Sequence, residues 1–202
     1  MKDPLKLKET KFDGVSYVAP TWDQMGDFAF LLGKKILDSG QKFDRVIALA
    51  KGGWTWARTM VDILNVPNLS STRLISYRNI NQSGKIKIAQ PLSDSIDGEK
   101  ILLFDDVIDS GETILKAKEY LTLLGTKKIS TASLCYKPRS KFTPDFYAFS
   151  TTSWVIFPPE YREFITQAKK QWADKNLSQT EVKDRLFKIG VPRNQIDYFL
   201  DK

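Results

Sequence analysis

The chain has 202 residues, of which 42% are hydrophobic, and this size and content fit one globular core with a small extension. It contains no histidine and one cysteine, Cys135, so imidazole catalysis, histidine-ligated zinc, an internal disulfide and a cysteine-cluster metal site are excluded. No apolar run approaches the roughly 20 residues of a membrane-spanning helix, and the opening MKDPLKLKET lacks the apolar core of a signal peptide, so we expect a cytoplasmic protein.

The formal net charge of +7 indicates an anionic partner, either a small phosphorylated molecule or a nucleic acid. The basic residues are scattered: residues 161–202 carry nine Lys or Arg against six acids, with no long basic run. Scattered charge favours the small ligand, so nucleic acid is not the expected partner. Cys135 lies inside an apolar strand pattern and is interpreted as a buried structural thiol.

In chain order, a first helix is predicted after Thr21, which can form a capping box with Gln24, and it ends near Gly40. Five apolar runs then have the composition of buried strands: Val46–Ala50, Thr72–Tyr77, Lys100–Asp105, Lys128–Tyr136 and Trp154–Phe157. Amphipathic stretches separate two pairs of these runs: Thr55–Leu64 and Thr113–Leu124. This alternation predicts an α/β fold with a central, mainly parallel sheet flanked by helices.

Two further segments complete the predicted architecture. The polar and basic stretch 78–89 (RNINQSGKIKIA) is predicted to be a mobile functional loop, with a plain β-hairpin insertion as the alternative. After the core, Ser178 with Glu181 opens one helix and Pro192 opens a last one, so the final ~30 residues are predicted to form a helical extension.

The stretch ILLFDDVIDSGET, residues 101–113, contains the most informative motif. Asp105 and Asp106 close a predicted strand, and residues 109–113 turn into a helix whose N–H groups suit a phosphate. Gly111 would let the backbone approach the anion closely. The structural alternative makes Asp109 or Ser110 a helix N-cap and the acid pair a solvated strand end, which does not explain the whole cluster.

This motif resembles the fingerprint of the type I phosphoribosyltransferases, in which an apolar run and two acids precede Asp-Thr/Ser-Gly-x-Thr. The resemblance implies that Asp105 and Asp106 bind the ribose hydroxyls of phosphoribosyl pyrophosphate (PRPP). It also implies that the turn wraps the 5′-phosphate through a set of consecutive residues: Asp109, Ser110, Gly111, Glu112 and Thr113. Asp109 would further be the catalytic residue, sharing the proton on N7 of a purine.

A second motif, Lys51-Gly52-Gly53, follows the first predicted strand and precedes a helix. On its own it is as consistent with a tight strand-to-helix turn as with a ligand site. Beside the first motif, it resembles the pyrophosphate loop of the 6-oxopurine phosphoribosyltransferases, in which backbone N–H groups face the leaving pyrophosphate.

A third segment contains a strand ending at Lys137 and the later run that begins with Trp154 and Val155. Alone, it more often indicates aromatic core packing than a base pocket. Together with the other two motifs, this segment resembles the purine pocket of hypoxanthine-guanine and xanthine-guanine phosphoribosyltransferases. There Lys137 would donate to the 6-oxo group, Trp154 would stack on the ring, and the Val155 backbone would pair with the base edge.

The same resemblance implies a catalytic loop that opens at Ser76 and Tyr77, and Mg²⁺ as the cofactor. The metal would be bound with the help of Glu160, where the family usually has Asp, together with Asp105 and Asp106. The expected partners are PRPP, a purine base and the nucleoside monophosphate product, and the expected assembly is a homodimer.

The resemblance implies a phosphoribosyltransferase domain over residues 1–165, with hood elements from 1–45 and 137–160, and an extension over 166–202. Two other functions remain open. One is a phosphoribosyltransferase-like regulator that binds nucleic acid with PRPP or a nucleotide as effector. The other is the same enzyme class acting on orotate, uracil or adenine, against which the donor at Lys137 argues.

Overall fold

The computed structural model describes residues 6–79 and 82–202. Side chains are described for these residues except those within 76–85. The chain divides into two compact units, which we describe separately. The larger unit is Phe28–Thr151, and the smaller unit consists of the residues up to Asp27 together with Thr152–Lys202. Helix α1, Trp22–Asp38, runs through the boundary at residue 27.

The larger unit contains a six-stranded sheet, which confirms the predicted α/β fold. Its strands are β3 (Arg45–Leu49), β4 (Asn68–Asn79), β5 (Gln82–Gln90), β6 (Lys100–Ile108), β7 (Lys128–Tyr136) and β8 (Phe146–Ser150). Their spatial order is β5-β4-β3-β6-β7-β8. The β4–β5 pair is antiparallel and the other pairs are parallel, so the sheet is mainly parallel as predicted.

Runs of consecutive buried residues place β3, β6 and β7 at the centre of this sheet, because a strand covered on both faces has no polar side. Helix α2 (Gly52–Leu64) follows β3, and helix α3 (Glu112–Leu123) follows β6. One core cluster joins strand residues to the inner face of α3: Ile47, Leu49, Ile96, Ile101, Leu103, Ile108, Ile114, Ala117 and Leu121.

The segment predicted to be a mobile loop is instead part of a β-hairpin. Strands β4 and β5 pair antiparallel from Arg73 and Gln90 to Asn79 and Gln82, with two irregularities in register. The alternation of apolar and polar residues in β5 fits an edge strand with one exposed face. The loop prediction was therefore wrong for 82–89 and the hairpin alternative was right, while residues 80–81 lie outside the described residues.

Two strand predictions also need correction. Strand β6 continues to Ile108, so Asp105 and Asp106 do not close the strand as predicted but lie within its last four residues. The run predicted as a fifth strand of the main sheet forms only a two-residue strand, β9 (Trp154–Val155), in a different sheet. Strand β8 takes its place beside β7, where the Asp145 carboxylate accepts bonds from the Thr131 amide and hydroxyl at 2.7 and 2.8 Å.

The smaller unit combines a three-stranded sheet with three helices. The sheet has the order β1-β2-β9, with β1 at Glu9–Phe12 and β2 at Val15–Val18. The helices are α4 (Tyr161–Ala173), α5 (Gln179–Ile189) and α6 (Arg193–Leu200). The capping boxes predicted at Thr21 and at Ser178 are both formed. Within the described part of the chain, no helix is long and apolar enough to cross a bilayer.

Core packing on β6 should dominate the stability of the larger unit. Replacing Leu103, which is fully buried, by Ala is expected to lower the free energy of unfolding by about 2–5 kcal/mol, because it leaves a cavity. Leu123→Ala is the control: that side chain is 86% exposed, so a change within about 0.5 kcal/mol is expected. Urea unfolding of the two variants measures the difference, and equal losses would contradict this assignment of the core.

Candidate functional site

Three of the sequence motifs lie at the carboxyl ends of adjacent parallel strands in the larger unit. Residues 51–53 follow β3, residues 109–113 follow β6, and Lys137 follows β7. Because the sheet order is β3-β6-β7, these segments share one edge of the sheet. In open α/β sheets this edge is where ligands bind.

The turn after β3 packs directly on the acidic end of β6. A Cβ atom on Gly52 would lie within 2.6 Å of the Asp106 carboxylate carbon, and one on Gly53 within 2.7 Å of the Phe104 carbonyl oxygen. Only glycine fits at either position, because one neighbour is a buried carboxylate and the other is backbone. The Lys51–Gly53 turn and the acid pair are therefore held against each other by close backbone packing.

The two acids of the motif have different environments. Asp106 is 6% exposed, so the solvated strand end considered above is wrong for this residue. Burial raises the pKa of its carboxyl group, and hydrogen bonding with Asp105 and from the Val107 amide opposes this only in part. Asp105, by contrast, is only partly buried and accepts a 3.0 Å bond from the Asp106 amide.

The turn after β6, residues 109–113, leads into the N-terminus of α3. Gly111 has a φ of 83° and is the N-cap residue of α3, so the alternative with Asp109 or Ser110 as the N-cap is wrong. Because glycine has no side chain, it cannot cap the first-turn N–H groups of α3. The Ser110 hydroxyl accepts a 3.3 Å bond from the Glu112 amide, so the hydroxyl and the helix N-terminus lie side by side.

Residues 139–142 lie against the turn 109–113, a contact that was not predicted from the sequence. Arg139 donates from Nη2 and Nε to Oδ1 of Asp109, at 2.6 and 3.1 Å, and Lys141 pairs with Glu112 at 3.0 Å. The Lys141 amide also donates to the Ser110 carbonyl oxygen at 3.0 Å. The signal in the sequence was the Lys-Pro-Arg-Ser-Lys run directly after a buried strand, since that run places two further cations at the same sheet edge.

Lys137 is held at the end of β7 with its side chain 5% exposed. Its amide donates to the Ile108 carbonyl oxygen at 3.0 Å, which ties it to the strand that carries the acids. Burial lowers the pKa of its ammonium group, while the charge of Asp109 acts in the opposite direction. Cys135 is buried, which confirms the structural interpretation, and burial raises the pKa of its thiol to about 12.

The remaining predicted residues lie in the smaller unit or on β4. Trp154 is 56% exposed and Val155 is buried, and both belong to β9, an edge strand of the small sheet. Glu160 ends a 3₁₀ turn, Pro158–Glu160. Ser76 and Tyr77 lie on β4, and their side chains are outside the described part of the structure. Their roles stay predictions.

The described residues contain no cluster of three or more acidic or cysteine side chains that could bind a metal ion without other ligands. Asp105 and Asp106 nevertheless provide carboxylate oxygens at the ligand edge of the sheet. Mg²⁺ is commonly bound by one or two carboxylates together with substrate phosphates and water. The acid pair therefore fits a magnesium ion that arrives with a phosphorylated substrate.

Comparisons with known proteins match the part of the chain that carries these motifs. The family model described as the phosphoribosyl transferase domain matches residues 22–163. A xanthine-guanine phosphoribosyltransferase from Gluconobacter oxydans (strain 621H) is 30% identical over 147 residues, which are 71% of this chain and 84% of that protein.

Two solved structures are also similar. The purine phosphoribosyltransferase from Pyrococcus horikoshii Ot3 is 31% identical with a TM-score of 0.65, covering 70% of this chain and 93% of that one. A hypothetical protein from Neisseria gonorrhoeae with bound ppGpp is 25% identical with a TM-score of 0.60, covering 69% and 86%. In each case most of the relative's chain is matched, and about 30% of this chain lies outside the match.

The buried charge of Asp106 should lower stability. Because its pKa is raised, the folded protein takes up a proton there at a higher pH than the unfolded chain does. Asp106→Asn is therefore expected to be more stable than the wild type near pH 7. This advantage should shrink as the pH falls through the raised pKa towards the ordinary value of about 3.9, because the wild-type carboxyl group is then also neutral.

Urea unfolding of both proteins at a series of pH values measures this difference. Asp62→Asn serves as the control, because the Asp62 side chain is 69% exposed and its removal should change stability little at any pH. An Asp106→Asn variant that is less stable than the wild type at neutral pH would contradict the assignment.

Proposed function

Because the chain belongs to the type I phosphoribosyltransferase family, we propose that it transfers the 5-phosphoribosyl group of PRPP to a 6-oxopurine. The base would be hypoxanthine, guanine or xanthine, and the products would be the nucleoside 5′-monophosphate and pyrophosphate. The observation that carries the proposal is the meeting of three motifs at one sheet edge: the acid pair of β6, the turn into α3 and the turn into α2.

Each of these motifs is proposed to bind a different chemical group of PRPP. Asp105 and Asp106 accept hydrogen bonds from the two ribose hydroxyls. The turn 109–113 binds the 5′-phosphate through backbone N–H groups and hydroxyls, an arrangement favoured by the positive end of α3. The turn 51–53 binds pyrophosphate, with the Lys51 ammonium adding a positive charge that matches the leaving group.

In the reaction, a nitrogen of the purine attacks the anomeric carbon of the ribose. The bond between that carbon and the pyrophosphate oxygen breaks at the same time. The sugar then carries positive charge, which the carboxylates of β6 stabilise. Asp105, Asp106 and Glu160 would hold Mg²⁺, which would supply electrostatic stabilisation of the leaving pyrophosphate. Asp109 takes the proton from the purine as the new carbon–nitrogen bond forms.

Base recognition is proposed for Lys137, Trp154 and Val155, as the family resemblance implies. The buried Lys137 ammonium is a strong hydrogen-bond donor, which suits a 6-oxo group and not the 6-amino group of adenine. The half-exposed Trp154 ring offers a stacking surface, and β9, as an edge strand, offers backbone groups to the edge of a base. Ser76 and Tyr77, on β4 of the hairpin, would help to exclude water from PRPP.

A second candidate function is a regulator of the same fold that binds nucleic acid, with PRPP or a nucleotide as its effector. The observation that favours it is the relative with bound ppGpp, which is 25% identical to this chain. The combination of Asp109 and Lys137 favours the enzyme, since a regulator that only binds a nucleotide does not need a proton acceptor. The domain boundary at residue 165 and the homodimer also remain proposals.

A substrate panel tests the proposed reaction. Purified protein with Mg-PRPP is assayed separately with hypoxanthine, guanine, xanthine, adenine, uracil and orotate, and kcat/KM for nucleotide formation is compared. We expect at least one 6-oxopurine to exceed the other three bases by about 100-fold or more. A protein that is inert with every base, yet binds ppGpp or RNA with a steep salt dependence, would support the regulator instead.

The role of Asp109 is tested by an isosteric substitution. Asp109→Asn is expected to keep the Kd for PRPP within about threefold and to lower kcat by about 100-fold or more, because an amide cannot accept the purine proton. Glu119→Gln is the matched control: it makes the same chemical change at an exposed acid on α3, and kcat should not change. Titration calorimetry and steady-state kinetics provide the two measurements, and an unaltered kcat in Asp109→Asn would refute the assignment.

A further inference from the structure

Strand β9, which carries Trp154 and Val155, has few interactions of its own. It has two residues and pairs with β2 through Tyr17 and Val18, and the Ile156 amide donates to the Val18 carbonyl oxygen at 2.9 Å. A sheet of this size buries too little surface to be stable alone and needs a packed partner.

The C-terminal helices supply that partner. One core cluster joins the small sheet to α4, α5 and α6, and most of its members come from the helices. Its buried residues are Tyr17, Ile156, Tyr161, Ile165, Ala168, Trp172, Val182, Leu186, Ile189, Val191, Ile196 and Leu200. The family match ends at residue 163, so nearly all of the helical part of this core lies beyond it.

Trp172 is the centre of this cluster. Its ring is 1% exposed and makes edge contacts with Phe12 of β1, Tyr17 of β2 and Phe164, at centroid distances of 6.3, 6.4 and 6.4 Å. Contacts of this kind stabilise beyond the area they bury, and they fix the direction of the rings. The indole therefore connects both strands of the hairpin to α4.

The turn of the β1–β2 hairpin is also held by the helices. Asp13 has a φ of 50° and is followed by Gly14, the residue pair typical of a tight hairpin turn. Its carboxylate accepts bonds from Arg185 at 2.8 and 3.3 Å and from Lys175 at 3.0 Å. These bonds hold the pKa of Asp13 below its usual value. The Arg185 guanidinium also lies 4.9 Å from the Phe12 ring and 5.4 Å from the Trp172 ring.

We propose that the C-terminal helices position the purine-binding strand, so that residues 163–202 set the affinity for the base and not that for PRPP. This inference rests on the proposed function, in which Trp154 and Val155 bind the purine. Trp172 and Arg185 are then positioning residues that act through β2 on β9. Apart from Glu160, the residues proposed to bind PRPP belong to the larger unit, and within its described residues the sheet and the buried cluster contain no residue of these helices.

Trp172→Ala tests the inference in the full chain. Removing the indole should raise KM for the purine about tenfold or more, while the Kd for PRPP stays within about twofold. Hydrogen exchange measured by mass spectrometry should show faster exchange at Ile156 and unchanged exchange in β6. A general folding defect would instead weaken both substrates together and speed exchange throughout the chain.

A milder pair of variants keeps the test decisive if Trp172→Ala fails to fold. Arg185→Met retains the unbranched side chain but removes the bonds to Asp13, and a rise of about threefold in purine KM is expected. Lys183→Met is the matched control, because Lys183 lies on the same helix and pairs with Asp197 of α6. Its kinetics should equal those of the wild type.

The exchange measurement separates this inference from the proposed function because it needs no substrate. If the wild type is inactive with every purine, the proposed function fails, and exchange at Ile156 still reports whether the helices order β9. If the wild type is active, unchanged exchange and unchanged purine KM in both Trp172→Ala and Arg185→Met would overturn the inference. A rise in the Kd for PRPP equal to the rise in purine KM would overturn it as well.

Discussion

The site depends on the packing of one backbone turn against one buried carboxylate. The Asp106 side chain fills the space in which residue 52 would carry its own side chain, and the next residue lies against the Phe104 carbonyl. Because of this contact, the first residues of α2 lie directly against the segment of β6 that carries the two acids. The same packing excludes solvent from Asp106, and this burial disfavours the charged form of its carboxyl group.

Lys137 is a second buried ionisable group at the same sheet edge. Lys137 is buried at the end of β7, the neighbour of β6, and burial opposes the charged form of both groups. A fold selected for stability alone would place neutral side chains at these positions. Ionisable groups whose pKa values are perturbed by burial are concentrated at functional sites. At the same sheet edge, Arg139 donates to the Asp109 carboxylate at 2.6 Å.

Much of the larger unit could be predicted from the sequence because its signals are local. The signals are the apolar runs of the buried strands, the capping box at Thr21 and the motif 101–113, and each lies within a short stretch of chain. The β4–β5 hairpin and the position of β8 beside β7 depend on pairing between strands, which the periodicity of a single strand does not report. The contact of Arg139 with Asp109 was missed for the same reason, since 30 residues separate the partners.

The small sheet has an evolutionary consequence. Strand β9 is supported by chain segments before residue 28 and after residue 151, and the sheet that carries the PRPP motifs is built from the segment between them. Substitutions that reshape the support of β9 can therefore accumulate without disturbing the glycine turn or the acid pair. If β9 binds the base as proposed, changes in the terminal segments alter the base that is accepted and leave the binding of the sugar donor unchanged.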